Sequence, residues 1–204
     1  MLRIGLRSAF YDFSDFVRNN RGRLILLFAA GILAAAAGVR SAYLLDGAEA
    51  LDTVKRYNIY RLIVGSKGFF GYFFPRLLSV TAVCAVMLLL SHRIYTAVLN
   101  ILPYLFFCFM NARAAFVCAA VLKTAFLPVA AVCTVPCLLA YMFVFACLCV
   151  DTLSKSRFRR RRSDSYAVAL ADGFAAALSA ALAAAAVCLT ESALAALLVL
   201  GITL

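Results

Sequence analysis

Few side chains in this chain are equipped for chemistry, and their types narrow what that chemistry is. The stretch FMNARAAFV, residues 109 to 117, sets Asn111 and Arg113 inside a run that is otherwise apolar, while Asp172 and Glu191 are the carboxylates of the last apolar segment and Arg40 closes the first. Ionisable groups in such segments serve ion or proton paths, buried structural pairs or helix ends. Arg113 has the charge to pair with Asp172 or Glu191. The sole histidine, His92, falls in the short SHR link with no carboxylate near it in sequence, so it reads as solvated rather than catalytic. All eight cysteines fall in apolar segments; Cys133 and Cys137 share a helix face, and Cys147 and Cys149 are close, but no histidine or carboxylate accompanies either pair at ligand spacing. They read as small apolar side chains, without a disulfide framework or a metal. There is no HExxH, no phosphate-binding glycine loop and no Ser/His/Asp set, and an intramembrane aspartate protease would need a second aspartate facing Asp172. No residue is therefore assigned to catalysis, cofactor or metal, and no cofactor is expected.

The elements that position these groups follow from composition. With 66% hydrophobic and 14% charged residues, and a mean hydropathy of +1.00, the chain lacks the charge that a soluble surface requires. The expected fold class is all-α, a polytopic membrane bundle of about five transmembrane helices. The net charge of +11 would suit nucleic acid. Its clustering in short links between apolar runs instead fits cytoplasmic loops, so no nucleic-acid partner is expected.

Residues 1–23 carry five arginines against two aspartates, with Ile4, Phe10, Phe13 and Phe16 or Val17 at helical spacing, which predicts a basic amphipathic segment on the cytoplasmic surface. From residue 24 to 204 the chain reads as one transmembrane domain. Its spans are expected at about 24–45, 69–90, 94–122, 126–150 and 166–189. In the first, Gly31, Ala34, Ala35 and Gly38 form small-xxx-small pairs that allow a second backbone to approach, and Arg40 snorkels at the far end. Residues 46–68, with three acids and four bases, form an external loop with the pattern of an interfacial helix; FFGYFFPR follows as an aromatic belt, with Pro75 in the first turn of the second span. The third apolar run, residues 94–122, is 29 residues, or ~43 Å of helix against ~30 Å of hydrocarbon. Either it tilts or it breaks; Pro103 predicts a kink, and we expect a broken or re-entrant helix around 109–123 at Asn111 to Arg113. Residues 151–165, with six bases against two acids, form a cytoplasmic loop whose Arg159, Arg160, Arg161 and Arg162 would hold anionic lipid headgroups at roughly 1 kcal/mol each. Asp172 sits in the first turns of the last helix, and Glu191 is expected to cap its exit before a tail too short to cross. Five spans with a cytoplasmic N-terminus put 1–23, 91–93 and 151–165, all basic, on one side.

Taken in order, the flank containing Asn19 and Asn20, the glycines Gly31 and Gly38, the modest external loop, the aromatic start of the second span, the basic small-residue stretch at FMNARAAF, the proline-containing VPCLLAYMFVF and the late Glu191 resemble the stage II sporulation protein M-like family of bacterial membrane proteins. The resemblance implies a noncatalytic subunit of the cell membrane, scaffolding envelope partners that include a peptidoglycan-cleaving enzyme. The competing expectation is a permease-like subunit with an ion or solute pathway through Arg113 and Asp172 or Glu191. The bilayer with its anionic lipids and other membrane or envelope proteins are the expected partners.

Overall fold

The computed structural model describes residues 13–45, 49–50, 68–90, 98–122, 129–159 and 166–203, with side chains for all of these except 155–159, 166–173 and 199–203. These residues are helical apart from a few turns, and five helices are long and apolar enough to cross a membrane. This is an all-α, multi-pass membrane architecture. Within hydrocarbon each backbone N–H and C=O must find a partner in its own segment, so apolar runs of this length become helices. Helix α1 is Arg21–Ala42, α2 is Phe69–Leu90, α3 is Ile101–Leu122, α4 is Val135–Arg159 and α5 is Tyr166–Thr203. Five crossings place the ends of α1, α3 and α5 and the starts of α2 and α4 on one side, called here the 46–68 side.

Residues 13–19 form a short helix that meets α1 at Asn20, whose side-chain amide donates back to the Phe16 carbonyl at 3.0 Å. Phe16 and Val17 pack on the core, and Phe13 meets Phe143 edge to face with ring centroids 6.3 Å apart. At its other end α1 tightens into i→i+3 bonds from Tyr43 and Leu44, and the basic Arg40 lies in the last turn, where it complements the helix dipole.

Several boundaries differ from those read in the sequence. Pro75 lies inside α2 rather than in its first turn, because the helix already begins at Phe69. Helix α3 runs unbroken through Asn111 and Arg113, which corrects the expected interruption. Asn111 donates its side-chain amide to the Phe107 carbonyl at 2.8 Å, so its polar group is satisfied along the helix, and the alanines around Arg113 favour helix. The excess length is shed at the other end: a turn at Asn100 separates residues 98–99 from α3, and Pro103 falls in the first turn, where its missing N–H costs nothing.

The approach to α4 is a π-helical turn, Ala130–Thr134, in which the Val135 N–H reaches back to the Ala130 carbonyl. Pro136 supplies the cause, since it has no N–H and its ring crowds the carbonyl four residues earlier. At its far end α4 continues to Arg159, so the first part of the expected 151–165 loop is helix. Lys155, Arg157 and Arg159 place positive charge at the helix C-terminus, which the dipole favours. Helix α5 passes straight through Glu191 and continues to Thr203; the expected end at 189 and the capping role for Glu191 are both corrected.

Parallel α1 and α3 pack along their length, α2 lies antiparallel on α5, and α4 runs through the middle against α1, α3 and α5. Lipid-facing leucines such as Leu26, Leu33, Leu78 and Leu89 remain more than 70% exposed, as a bilayer solvent permits. Contact between helices then depends on close fit. Gly31 lies against the Tyr104 hydroxyl and the Met142 methyl, and Gly38 against the backbone of Phe109. A Cβ at Gly38 would overlap the Phe109 carbonyl, whereas Ala35 is half-buried nearby. Tyr104 closes the same seam by donating its hydroxyl to the Leu27 carbonyl at 3.0 Å.

Candidate functional site: a buried polar cluster

Along α2 the residues Tyr72, Arg76, Val80, Cys84 and Met87 recur at helical spacing and turn inward together. That stripe carries Arg76 into the bundle, where it is 8% exposed and meets Glu191, which is 1% exposed. Arg76 Nε donates to Glu191 Oε2 at 3.0 Å and Nη2 to Oε1 at 3.4 Å, a side-on fork matched to a carboxylate. The Tyr72 hydroxyl donates to Oε1 at 2.9 Å, and the Tyr141 hydroxyl to Oε2 at 2.9 Å. Arg76 Nη1 donates to Asn111 Oδ1. Four helices thus converge on one carboxylate and its counterion: Tyr72 and Arg76 from α2, Asn111 from α3, Tyr141 from α4 and Glu191 from α5.

The guanidinium carbon also lies 5.0 Å from the Tyr141 ring centroid and 5.6 Å from that of Phe107. Aromatic faces attract a cation in a medium with no water to do so. From the π turn, the Cys133 thiol donates to the Glu191 backbone carbonyl at 3.1 Å, anchoring α5 to α4 at the same level. Depth accounts for the meeting of Arg76 and Glu191. Arg76 comes seven residues, about 10 Å of helix, after Phe69 at the 46–68 side, and Glu191 stands at its level on the antiparallel α5.

Of the intramembrane polar residues singled out in the sequence, the structure brings Asn111 and Glu191 together. Glu191 pairs with Arg76, not with Arg113 as expected. Arg113 stands one face away on α3, partly buried, with its Nε enclosed and without a hydrogen-bond partner among the described residues. Asp172 belongs to the second turn of α5, and its side chain lies outside the described residues, as do the side chain of Arg159 and all of Arg160, Arg161 and Arg162.

Arg76 was missed because FFGYFFPR reads as an interfacial belt. The signal was in the counting, since α2 needs all of 69–90 to cross, which submerges Arg76. Tyr72, four residues before it, marks the same face.

A second polar link joins the turn before α3 to α4 toward the other side. Asn100 Nδ2 donates to Thr152 Oγ1 at 3.2 Å, and the Cys149 thiol reaches the Asn100 carbonyl at 3.5 Å. Nearby, a groove of about 550 Å³ opens between residues 13–19, α4 and α5, lined mainly by Phe13, Phe16, Phe143, Cys147, Ala176 and Ala180. All eight cysteines are free thiols, and among the described residues no three His, Cys, Asp or Glu side chains converge as a metal site would require.

In chemical terms the cluster is closed. Both carboxylate oxygens of Glu191 accept two hydrogen bonds each from this chain's own donors, so neither offers a lone pair to a substrate without displacing one. Comparison with protein-family models, curated proteins and solved structures finds no match to this chain.

Proposed function

We propose that this protein is a noncatalytic scaffold subunit of a membrane complex, its N-terminal basic segment and the 151–165 region on the cytoplasmic side and residues 46–68 outside. The observation that carries this reading is the saturation of Glu191 by donors from α2 and α4, with Arg76 tied onward to α3. A charge in hydrocarbon costs ~2.5–3.5 kcal/mol on insertion scales, and here that cost is offset within the chain by a pair that fixes the mutual register of four helices. A platform needs such rigidity, and a carrier needs its charged groups to change partners. The resemblance to the stage II sporulation protein M-like family supports an envelope role, anchoring a peptidoglycan-cleaving enzyme at a bacterial cell membrane. Basic residues around 157–162 would add attraction to anionic lipid.

A permease-like subunit is the second reading, favoured by the presence of an ion pair within the span, which in transporters marks a pathway. Reconstitution into liposomes separates the two. A scaffold shows no ion or solute flux above empty vesicles, and an envelope hydrolase copurifies with it from detergent extracts of its host. Flux that Glu191→Gln abolishes while the fold persists would establish the carrier instead.

A further inference from the structure

Helices α1, α2 and α3 contain no carboxylate, yet they hold Arg40, Arg76 and Arg113 within their apolar stretches. Glu191 neutralises Arg76. Arg113 is left as a cation beyond the reach of any acid among the described residues. It lies nine residues, or about 13 Å, from the 46–68 end of α3, and its Nε is enclosed without a hydrogen-bond partner. On that face of the helix, one and two turns before it and so farther from the 46–68 side, Met110 and Phe106 are exposed to the membrane. Arg40 on the parallel helix α1 stands at nearly the same level, as the neighbouring contacts of Gly38 with Phe109 and Tyr43 with Phe116 show, and it adds positive charge to that side.

We propose that Arg113 is the docking point for a partner protein's transmembrane helix bearing a carboxylate at matching depth. The inference rests on the scaffold reading and specifies the chemistry of what is scaffolded. Arginine suits the task, because it stays charged in an apolar setting and offers a planar fork to a carboxylate. The exposed Phe106 and Met110 supply the apolar flank on which such a helix would lie. A carboxylate held in a helix at the same level meets the guanidinium where it stands, and the exposed Phe106 and Met110 beside it suit an apolar helix better than a lipid headgroup.

The test uses the whole protein in lipid bicelles with a defined probe, a lysine-flanked polyleucine transmembrane peptide with one glutamate placed about 13 Å from the end that inserts on the 46–68 side. A second peptide has glutamine at that position. Energy transfer between labelled protein and labelled peptide reads the association. The glutamate peptide should bind at least tenfold more tightly than the glutamine peptide, and Arg113→Leu should erase the difference while Arg113→Lys retains part of it. Because Arg113 makes no hydrogen bond through Nε, Arg113→Leu should keep the wild-type melting temperature, so loss of binding will not be loss of fold. Equal binding of the two peptides, or a preference that survives Arg113→Leu, overturns the proposal. So does loss of the preference on adding phosphatidylglycerol, which would make lipid phosphate the natural occupant. Flux in liposomes would defeat the scaffold reading independently of the peptide result.

Discussion

Removing the Glu191 carboxylate is the sharpest perturbation of this fold. Glu191→Ala deletes the acceptor of four hydrogen bonds and removes the counterion of Arg76, which keeps Asn111 and two aromatic rings as neighbours. The two tyrosine bonds account for little, since interhelical hydrogen bonds in membranes average ~0.6 kcal/mol each. The stranded cation accounts for more, and breaking a buried pair from one side costs ~3–5 kcal/mol. Arg76→Met should cost a similar amount by stranding the carboxylate. Together, Arg76→Met and Glu191→Met remove both charges, so the double variant should be about 2 kcal/mol or more better off than the sum of the single effects, because the desolvation penalty disappears along with the attraction. Reversible unfolding in mixed micelles, followed by circular dichroism as denaturing detergent is added, gives all three values. Single variants within about 1 kcal/mol of wild type, or strictly additive losses, would refute the claim that this pair sets the register of the bundle.

The remaining tests address packing, access and sidedness. Gly38→Ala should cost about 1–3 kcal/mol, because its Cβ meets the Phe109 backbone, while Gly22→Ala, with nothing within 4 Å, should be neutral or slightly stabilising; unfolding in the same micelles compares them. Among the thiols, Cys147 alone is half-buried and lines the groove, so a bulky maleimide should modify one cysteine rapidly in the native protein and all eight after unfolding, as counted by mass spectrometry. Single cysteines introduced at 46–68 should be labelled by an impermeant reagent from outside intact cells, and those at 160–165 only after permeabilisation; the reverse pattern inverts the topology.

Much of the architecture could be read from hydropathy, because the bilayer leaves few alternatives to a helix for a long apolar run. The second span, 69–90, coincides with α2. Helix ends were less legible where charge was taken as an end signal. At Glu191 that rule fails because Arg76 neutralises the carboxylate, so α5 continues; at Asp151 it fails because the basic residues that follow suit a helix C-terminus. The length of 94–122 did require an adjustment, but Asn111 was the wrong place for it, since an asparagine that bonds its own helix backbone has no need to break it. Gly31 and Gly38 were visible as small residues, but their partners Tyr104, Met142 and Phe109 were not, because the pairing of helices is not encoded in any one helix.

Depth supplies a criterion that periodicity alone does not. Within one apolar run an arginine looks like an interface marker, an interruption or an anomaly, and nothing in that run decides among them. Once two antiparallel spans are laid side by side, the decision becomes arithmetic of depth: Arg76 lies seven residues into α2 from the 46–68 side, Glu191 stands at its level on α5, and opposite charges at one depth in hydrocarbon will pair. Applied to Arg113, the same arithmetic finds no acid among the described residues to pair with it, although Asn111, only two positions earlier, joins the buried cluster. Two residues along a helix turn a side chain through more than half a circle, so a polar residue committed to the core leaves its near neighbour facing outward. The polar pair in FMNARAAFV therefore divides its work between Asn111, which secures the fold, and Arg113, which is available to a partner.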